Sequence, residues 1–285
     1  MRWVGRRQSR NVEDRRGLGG RRVAAGGGLA GLALIVIALF LGVDPQMVMS
    51  PEMFEAPGGV AGRADPVEEQ LKQFSAVVLA DTEDVWRELF PAEFGREYRE
   101  PTLVLFSGSD RSACGFASAA SGPFYCPPDE RVYLDLQFFD ELATRFGATG
   151  DFAGAYVVAH EVGHHVQNQL GVLDQVHSRS SRLSEAEGNQ LSVRSELQAD
   201  FLAGVWAHHA QRTQGILEPG DLEEALGAAG AVGDDRLQRQ AQGHVVPDSF
   251  THGRSDQRIR WFRLGFETGD VSRMMDLFEV PYGDL

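Results

Sequence analysis

Lysine is nearly absent from this chain of 285 residues: Lys72 is the only one, and the remaining basic residues are arginines. Basic charge as a whole is short, 27 residues against 41 acidic ones, for a formal net charge of -14. A body that acidic lacks the basic footprint that nucleic-acid binding requires, so that class is excluded first. Only two cysteines occur, Cys114 and Cys126. They cannot staple a chain of this length throughout, and a core of this size needs no staples. No internal repeat is visible. With 42% hydrophobic and 24% charged residues the chain is neither disordered throughout nor collagen-like.

What basic charge there is lies at the front. Residues 1–22 carry eight arginines, from Arg2 to Arg22, against Glu13 and Asp14, a net of +6. Taking that from the total leaves about -20 for the remainder. Residues 23–43 follow without a charge, VAAGGGLAGLALIVIALFLGV. At 1.5 Å per residue, such a run spans roughly 30 Å as a helix, the hydrocarbon thickness of a bilayer. A cleavable signal peptide competes with this reading, but its apolar region is shorter, and no small-x-small cleavage site follows Val43. The expectation is a basic cytoplasmic leader (1–22), a single-pass transmembrane helix (23–43) contacting the lipid bilayer, a linker rich in Pro, Gly and Met (44–65), and a domain of residues 66–285 on the extracytoplasmic side of the cell membrane.

Within that domain, apolar residues from Val67 to Val78 recur at helical spacing, and Asp81 or Thr82 reads as the cap of a further helix ended by Pro91. Residues 102–106 (TLVLF) read as a buried strand and 131–136 (RVYLDL) as an edge strand. Cys114 and Cys126 are open to three readings: buried thiols, part of a metal site, or a disulfide. The extracytoplasmic placement favours the disulfide.

The chemistry starts at residue 151. DFAGAYVVAHEVGHHVQNQLG has helical periodicity with Gly171 as its terminator, and contains His160-Glu161-Val162-Gly163-His164. Two histidines four apart emerge on one helix face one turn apart, the spacing that two ligands of one Zn²⁺ require. Glu161, one step round, can reach a water on such a metal without ligating it. Gly163 in mid-helix costs about 1 kcal/mol relative to Ala, which makes sense where something approaches the backbone closely. A third ligand is needed, and Glu196 in SELQAD is the candidate. Asp200, four residues on, shares its face and could accept the outer N–H of a ligand imidazole. His252, at a loop-to-helix junction, keeps two readings: a helix-capping histidine, or a group that stabilises a developing oxyanion.

Several blocks taken together resemble the neutral zinc metallopeptidase family of bacterial membranes: SACG, GPFYCPPD with VYLD, AYVVAHEVGHHVQNQLG, ELQADFLAGVWAHH, GDDRLQRQAQG and DSFTHGRSDQRIRWF. The resemblance covers nearly the whole chain. It implies an α+β, predominantly helical, zincin-like domain with a small sheet, and a glutamate third ligand that maps onto Glu196. The expected function is hydrolysis of a peptide or protein substrate by one Zn²⁺ on His160, His164 and Glu196, with Glu161 as general base toward a zinc-activated water. An extended substrate is expected to add to the edge strand near Val132–Leu136. The competing expectation is a membrane-anchored binding or scaffold protein with a structural zinc, whose fourth position a protein ligand would close.

Overall fold

The computed structural model describes residues 1–17, 65–118 and 122–285. In chain order the elements are β1 (Val12–Asp14), α1 (Pro66–Leu89), β2 (Thr102–Phe106), β3 (Ser109–Ser112), β4 (Gly115–Ser118), β5 (Phe124–Cys126), β6 (Arg131–Asp135), α2 (Gln137–Thr144), α3 (Asp151–Gln169), α4 (Val172–Ser180), α5 (Glu185–Gln214), α6 (Asp221–Ala231), α7 (Asp234–Gln242), α8 (Ser255–Thr268) and α9 (Asp276–Glu279). This is a predominantly helical α+β fold with a small mixed sheet, as the sequence leads one to expect.

The sheet has strand order β1-β2-β6-β5. The first three strands run parallel and β5 is antiparallel to β6. β3 and β4 form a separate antiparallel hairpin. TLVLF forms β2 as expected, buried from Leu103 to Phe106 because Leu103 and Leu105 face the helical core while Val104 and Phe106 pack with Ala117 and Cys126 on the other face. RVYLD also forms a strand, but β6 lies between β2 and β5 and has no free edge. The edge expected there belongs to β5. Alternation of apolar and polar residues marks a strand but carries no information on how many neighbours it acquires.

Asp81 and Thr82 begin no new helix. α1 runs unbroken to Leu89, Asp81 pairs with Arg6 at 2.8 Å, and the Thr82 hydroxyl donates to the carbonyl of Leu79. The helix closes in a π turn over Phe90–Phe94. α5 begins ten residues before the SELQAD segment, at a capping box in which Ser184 and Glu187 satisfy each other's backbone N–H. It ends at Gly215, whose φ of 62° only glycine adopts without strain.

Residues 1–17, most of the expected basic leader, are paired into the domain. β1 pairs with β2 in the register Val12↔Leu103, Glu13↔Val104 and Asp14↔Leu105. Met1 is buried, with its α-ammonium bonded to Asp151, the first residue of α3, and lying 3.3 Å from Asp221. Its charge answers the convergent carboxylates of Asp151, Asp221 and Glu224. Several of its arginines are ion-paired within the domain: Arg7 to Glu83 and Asp84, Arg15 to Glu13 and Asp110, Arg16 to Asp14. The apolar run 23–43 and the segment 44–64 lie outside the described residues. Among the described residues, no helix is long and apolar enough to cross a membrane.

Candidate metal centre and active site

α3 is buried along most of its length, and α5 packs across it. Their approach is set by Gly163. A Cβ there would stand 2.9 Å from the Ala199 carbonyl oxygen and 3.1 Å from Ala199 Cα, so only glycine lets the two backbones come this close. That contact is what the mid-helix glycine is for. It brings Glu196, one turn before Ala199 on α5, against the two histidines of α3.

The result is convergent. His160 Nε2 lies 3.2 Å from Glu196 Oε2, and His164 Nε2 lies 3.4 Å from Glu196 Oε1. The three side chains each offer a ligand atom, all within 4.8 Å of one another. The outward nitrogens are engaged: His160 Nδ1 meets Asp200 Oδ1 at 2.8 Å, and His164 Nδ1 meets Gln167 Oε1 at 2.8 Å. Both imidazoles therefore turn Nε2 inward. Gln167 is itself fixed by donating its amide to the Ser195 carbonyl and to Gln198 Oε1.

Electrostatics at this spot ask for a cation. Burial alone would raise the carboxyl of Glu196, but the two imidazoles outweigh it and hold it well below the usual carboxylate range. Burial also opposes charging His160, yet Asp200 and then Glu196 push it up to about 10. His164 is raised against burial by Glu196. Carboxylates that raise both imidazoles against burial mark a site whose negative potential a metal ion can satisfy in place of protons. Two nitrogens and one carboxylate, with space beside them, are also the donor set that suits a catalytic zinc.

Asp200 sits where expected, behind His160, with a partner that spacing did not point to. Its fully buried carboxylate takes a two-pronged contact from Arg258 on α8, Nε at 2.9 Å and Nη2 at 3.0 Å, and accepts from the Tyr156 hydroxyl at 2.5 Å. Burial would raise Asp200, but Arg258 first and His160 second hold it below the usual range. Arg258 and Tyr156 went unassigned in the sequence, where each reads as one member of a helical stripe. Partners 58 and 44 residues away in the chain give no local signal.

Glu161 is buried beside His160 and lines a cavity of about 880 Å³ that opens over the histidines and Glu196. Phe124 and Tyr125 of β5 form part of one wall, and His252 and Arg258 part of another. His252 does not cap α8, whose N-cap is Arg254. Asp234 accepts from the backbone N–H of Thr251, His252 and Gly253 and contacts His252 Nδ1 at 3.2 Å, so it is Asp234 that fixes the loop carrying the histidine. The ring is raised in pKa by that contact, and it faces the cavity. Cys114 and Cys126 form the expected disulfide, Cα–Cα 5.8 Å, which ties the turn of the β3–β4 hairpin to the end of β5.

Two histidines and a carboxylate converge from two crossed helices beside an open cavity, an arrangement that could hold a catalytic zinc. Comparison with known proteins gives the class. The family model described as "Putative neutral zinc metallopeptidase" matches residues 1–277, and the chain belongs to that family. The family implies zinc and a peptide or protein substrate. The chain is 49% identical over 282 residues to "Uncharacterized protein YpfJ" of Escherichia coli (strain K12), covering 96% of this chain and 97% of that protein. It is 44% identical over 251 residues to "Uncharacterized protein Rv2575" of Mycobacterium tuberculosis (strain ATCC 25618 / H37Rv), covering 82% of each. No solved structure matches.

Proposed function

We propose that this protein is a membrane-associated zinc metallopeptidase that hydrolyses peptide bonds in the cavity above His160, His164 and Glu196. One observation carries the reading: inward-facing Nε2 atoms and a half-buried carboxylate converge at the floor of an open cavity, with Glu161 beside them. The three side chains would hold one zinc ion, which when bound supplies Lewis acidity toward a carbonyl and toward water.

The chain's own groups account for the remaining work. Glu161 takes a proton from the attacking water on its carboxylate and returns it to the leaving amine. Asp200, gripped by Arg258 and Tyr156, keeps His160 Nδ1 engaged and so keeps Nε2 directed at the site. His252 has its Nδ1 against Asp234, which leaves Nε2 to donate toward oxyanion charge developing in the cavity. The free edge of β5, with Phe124 and Tyr125 on the cavity wall, is the strand to which an extended substrate backbone adds, in place of β6. The cavity also weighs against a purely structural zinc, whose fourth position a protein ligand would close.

Glu161→Gln tests the reading. The variant should bind zinc as tightly as wild type while its cleavage of casein falls by about 10²- to 10⁴-fold, the usual worth of a positioned acid–base group. Zinc-loaded Glu161→Gln cleaving at the wild-type rate would refute it.

A further inference from the structure

The described residues on either side of 18–64 are tied together. Arg16 contacts Glu68 and Glu69, each at 3.3 Å, in the first turn of α1, and Lys72 meets Asp14 at 3.0 Å. Upstream of Gly17 the chain is built into the domain over its whole described length. The Arg2 amide donates to the Ile216 carbonyl at 2.8 Å, Ser9 to Ala76 at 2.9 Å, and Arg15 to Leu105 at 2.8 Å, while the Asn11 carbonyl accepts from Leu103 at 2.8 Å.

A single crossing of the bilayer by residues 23–43 would put these partners on opposite faces of a layer about 30 Å thick. Hydrogen bonds of 2.8–2.9 Å cannot span it. If both flanks are on one side, the chain between them crosses an even number of times. Residues 44–64 do not offer a second span, because Asp44, Glu52, Glu55 and Arg63 break them and Pro45, Pro51 and Pro57 interrupt any helix. The charge argument for a cytoplasmic N-terminus fails on the same observations, since Arg6, Arg7, Arg15 and Arg16 answer carboxylates of the domain.

We infer that residues 1–17 and 65–285 lie on the same side of the membrane, so that the two described flanks are not separated by a single crossing. Opening β1 to permit one crossing would strip the edge of β2, leave the buried carboxyl of Asp81 without Arg6, and take Arg7 from buried Glu83.

The test uses the full chain in bacterial membranes, with one exposed position on each side of the apolar run replaced by cysteine: Arg10→Cys and Gln214→Cys. The native cysteines are joined and do not react. Each variant is treated with a membrane-impermeant maleimide in intact spheroplasts and after lysis, and each must retain wild-type zinc content, which reports that the fold has survived. The two positions should label alike, within about twofold, whether both react in spheroplasts or both only after lysis. Protection of one position in spheroplasts while the other reacts freely would overturn the inference and restore a single crossing.

Discussion

Asp200 bears on three groups at once, and the consequences of altering it follow from that. Spacing alone suggests a modest role behind His160, so that Asp200→Ala should cost the 10- to 100-fold in zinc affinity typical of losing an orienting bond. The tertiary contacts change this expectation. Asp200→Ala also strands the Arg258 guanidinium in the core, and breaking a buried pair from one side costs about 3–5 kcal/mol of stability. Asp200→Asn keeps the shape and is the cleaner probe of the orienting bond, with the 10- to 100-fold loss expected. Glu196→Ala should lower zinc affinity far more than Asp200→Asn while leaving Arg258 paired, because it removes a charge at the site itself. Chelator competition measures the affinities and thermal melting the stabilities; equal zinc affinity in Glu196→Ala and wild type would remove Glu196 from the ligand set.

His165 adjoins His164 in sequence but faces away from the site. It meets the Tyr125 hydroxyl at 2.9 Å and the Arg99 carbonyl at 2.6 Å. Burial pushes its pKa down to about 4, so it is neutral in the fold and binds a proton more readily when unfolded. Stability from this group is complete above about pH 6.5 and is lost as pH falls from there through 4, by at most about 3 kcal/mol. Between pH 7 and 4 a His165→Gln variant should therefore melt with a shallower pH dependence than wild type. Parallel curves would show that other groups set the acid limit.

At the scale of elements, glycines decide how closely the helices lie. A Cβ on Gly204 of α5 would stand 2.1 Å from the Phe262 carbonyl oxygen, and one on Gly265 of α8 would stand 2.1 Å from that of Phe201. Each glycine makes room for the other helix's backbone, and a backbone cannot swing aside as a flexible side chain can. Gly204→Ala and Gly265→Ala should each destabilise by about 3 kcal/mol or more, beyond what a helix-favouring alanine returns. Gly163→Ala acts at the α3–α5 contact, so it should weaken zinc binding in the fraction that folds. Denaturant melts and zinc titrations separate the two effects; a Gly204→Ala protein as stable as wild type would mean the helices can part freely. The disulfide works at this scale too. It fastens β5 at its Cys126 end, and a Cys114→Ser/Cys126→Ser pair should lose about 3 kcal/mol of stability by loop-closure entropy. Its cleavage of peptides should fall more than its zinc affinity, because the edge of the cleft loosens while α3 and α5 stay put.

At the scale of the whole molecule the N-terminal arm is part of the domain, and the family match beginning at residue 1 agrees with that. Removing residues 2–16 should lower the melting temperature and expose the edge of β2, with aggregation as the visible result. A free leader would be dispensable, and an unchanged melt in the truncated protein would return the arm to that status.

Local repetition determined what the sequence alone could fix. The i, i+4 spacing of His160 and His164 on a periodic apolar helix sets both side chains on one face whatever surrounds them. The same rule links Glu196 to Asp200, and the unbroken TLVLF run could only be a covered strand. The resemblance in several ordered blocks named the class. Tertiary structure decided the remainder, because those partners are distant in the chain: Arg258 on Asp200, Asp234 beneath His252, β5 rather than β6 at the cleft edge, and an arginine-rich arm folded inward against acids more than 70 residues away. A charge in a sequence shows only that a counter-charge or water is required. Which of the two answers it is settled when the chain closes on itself.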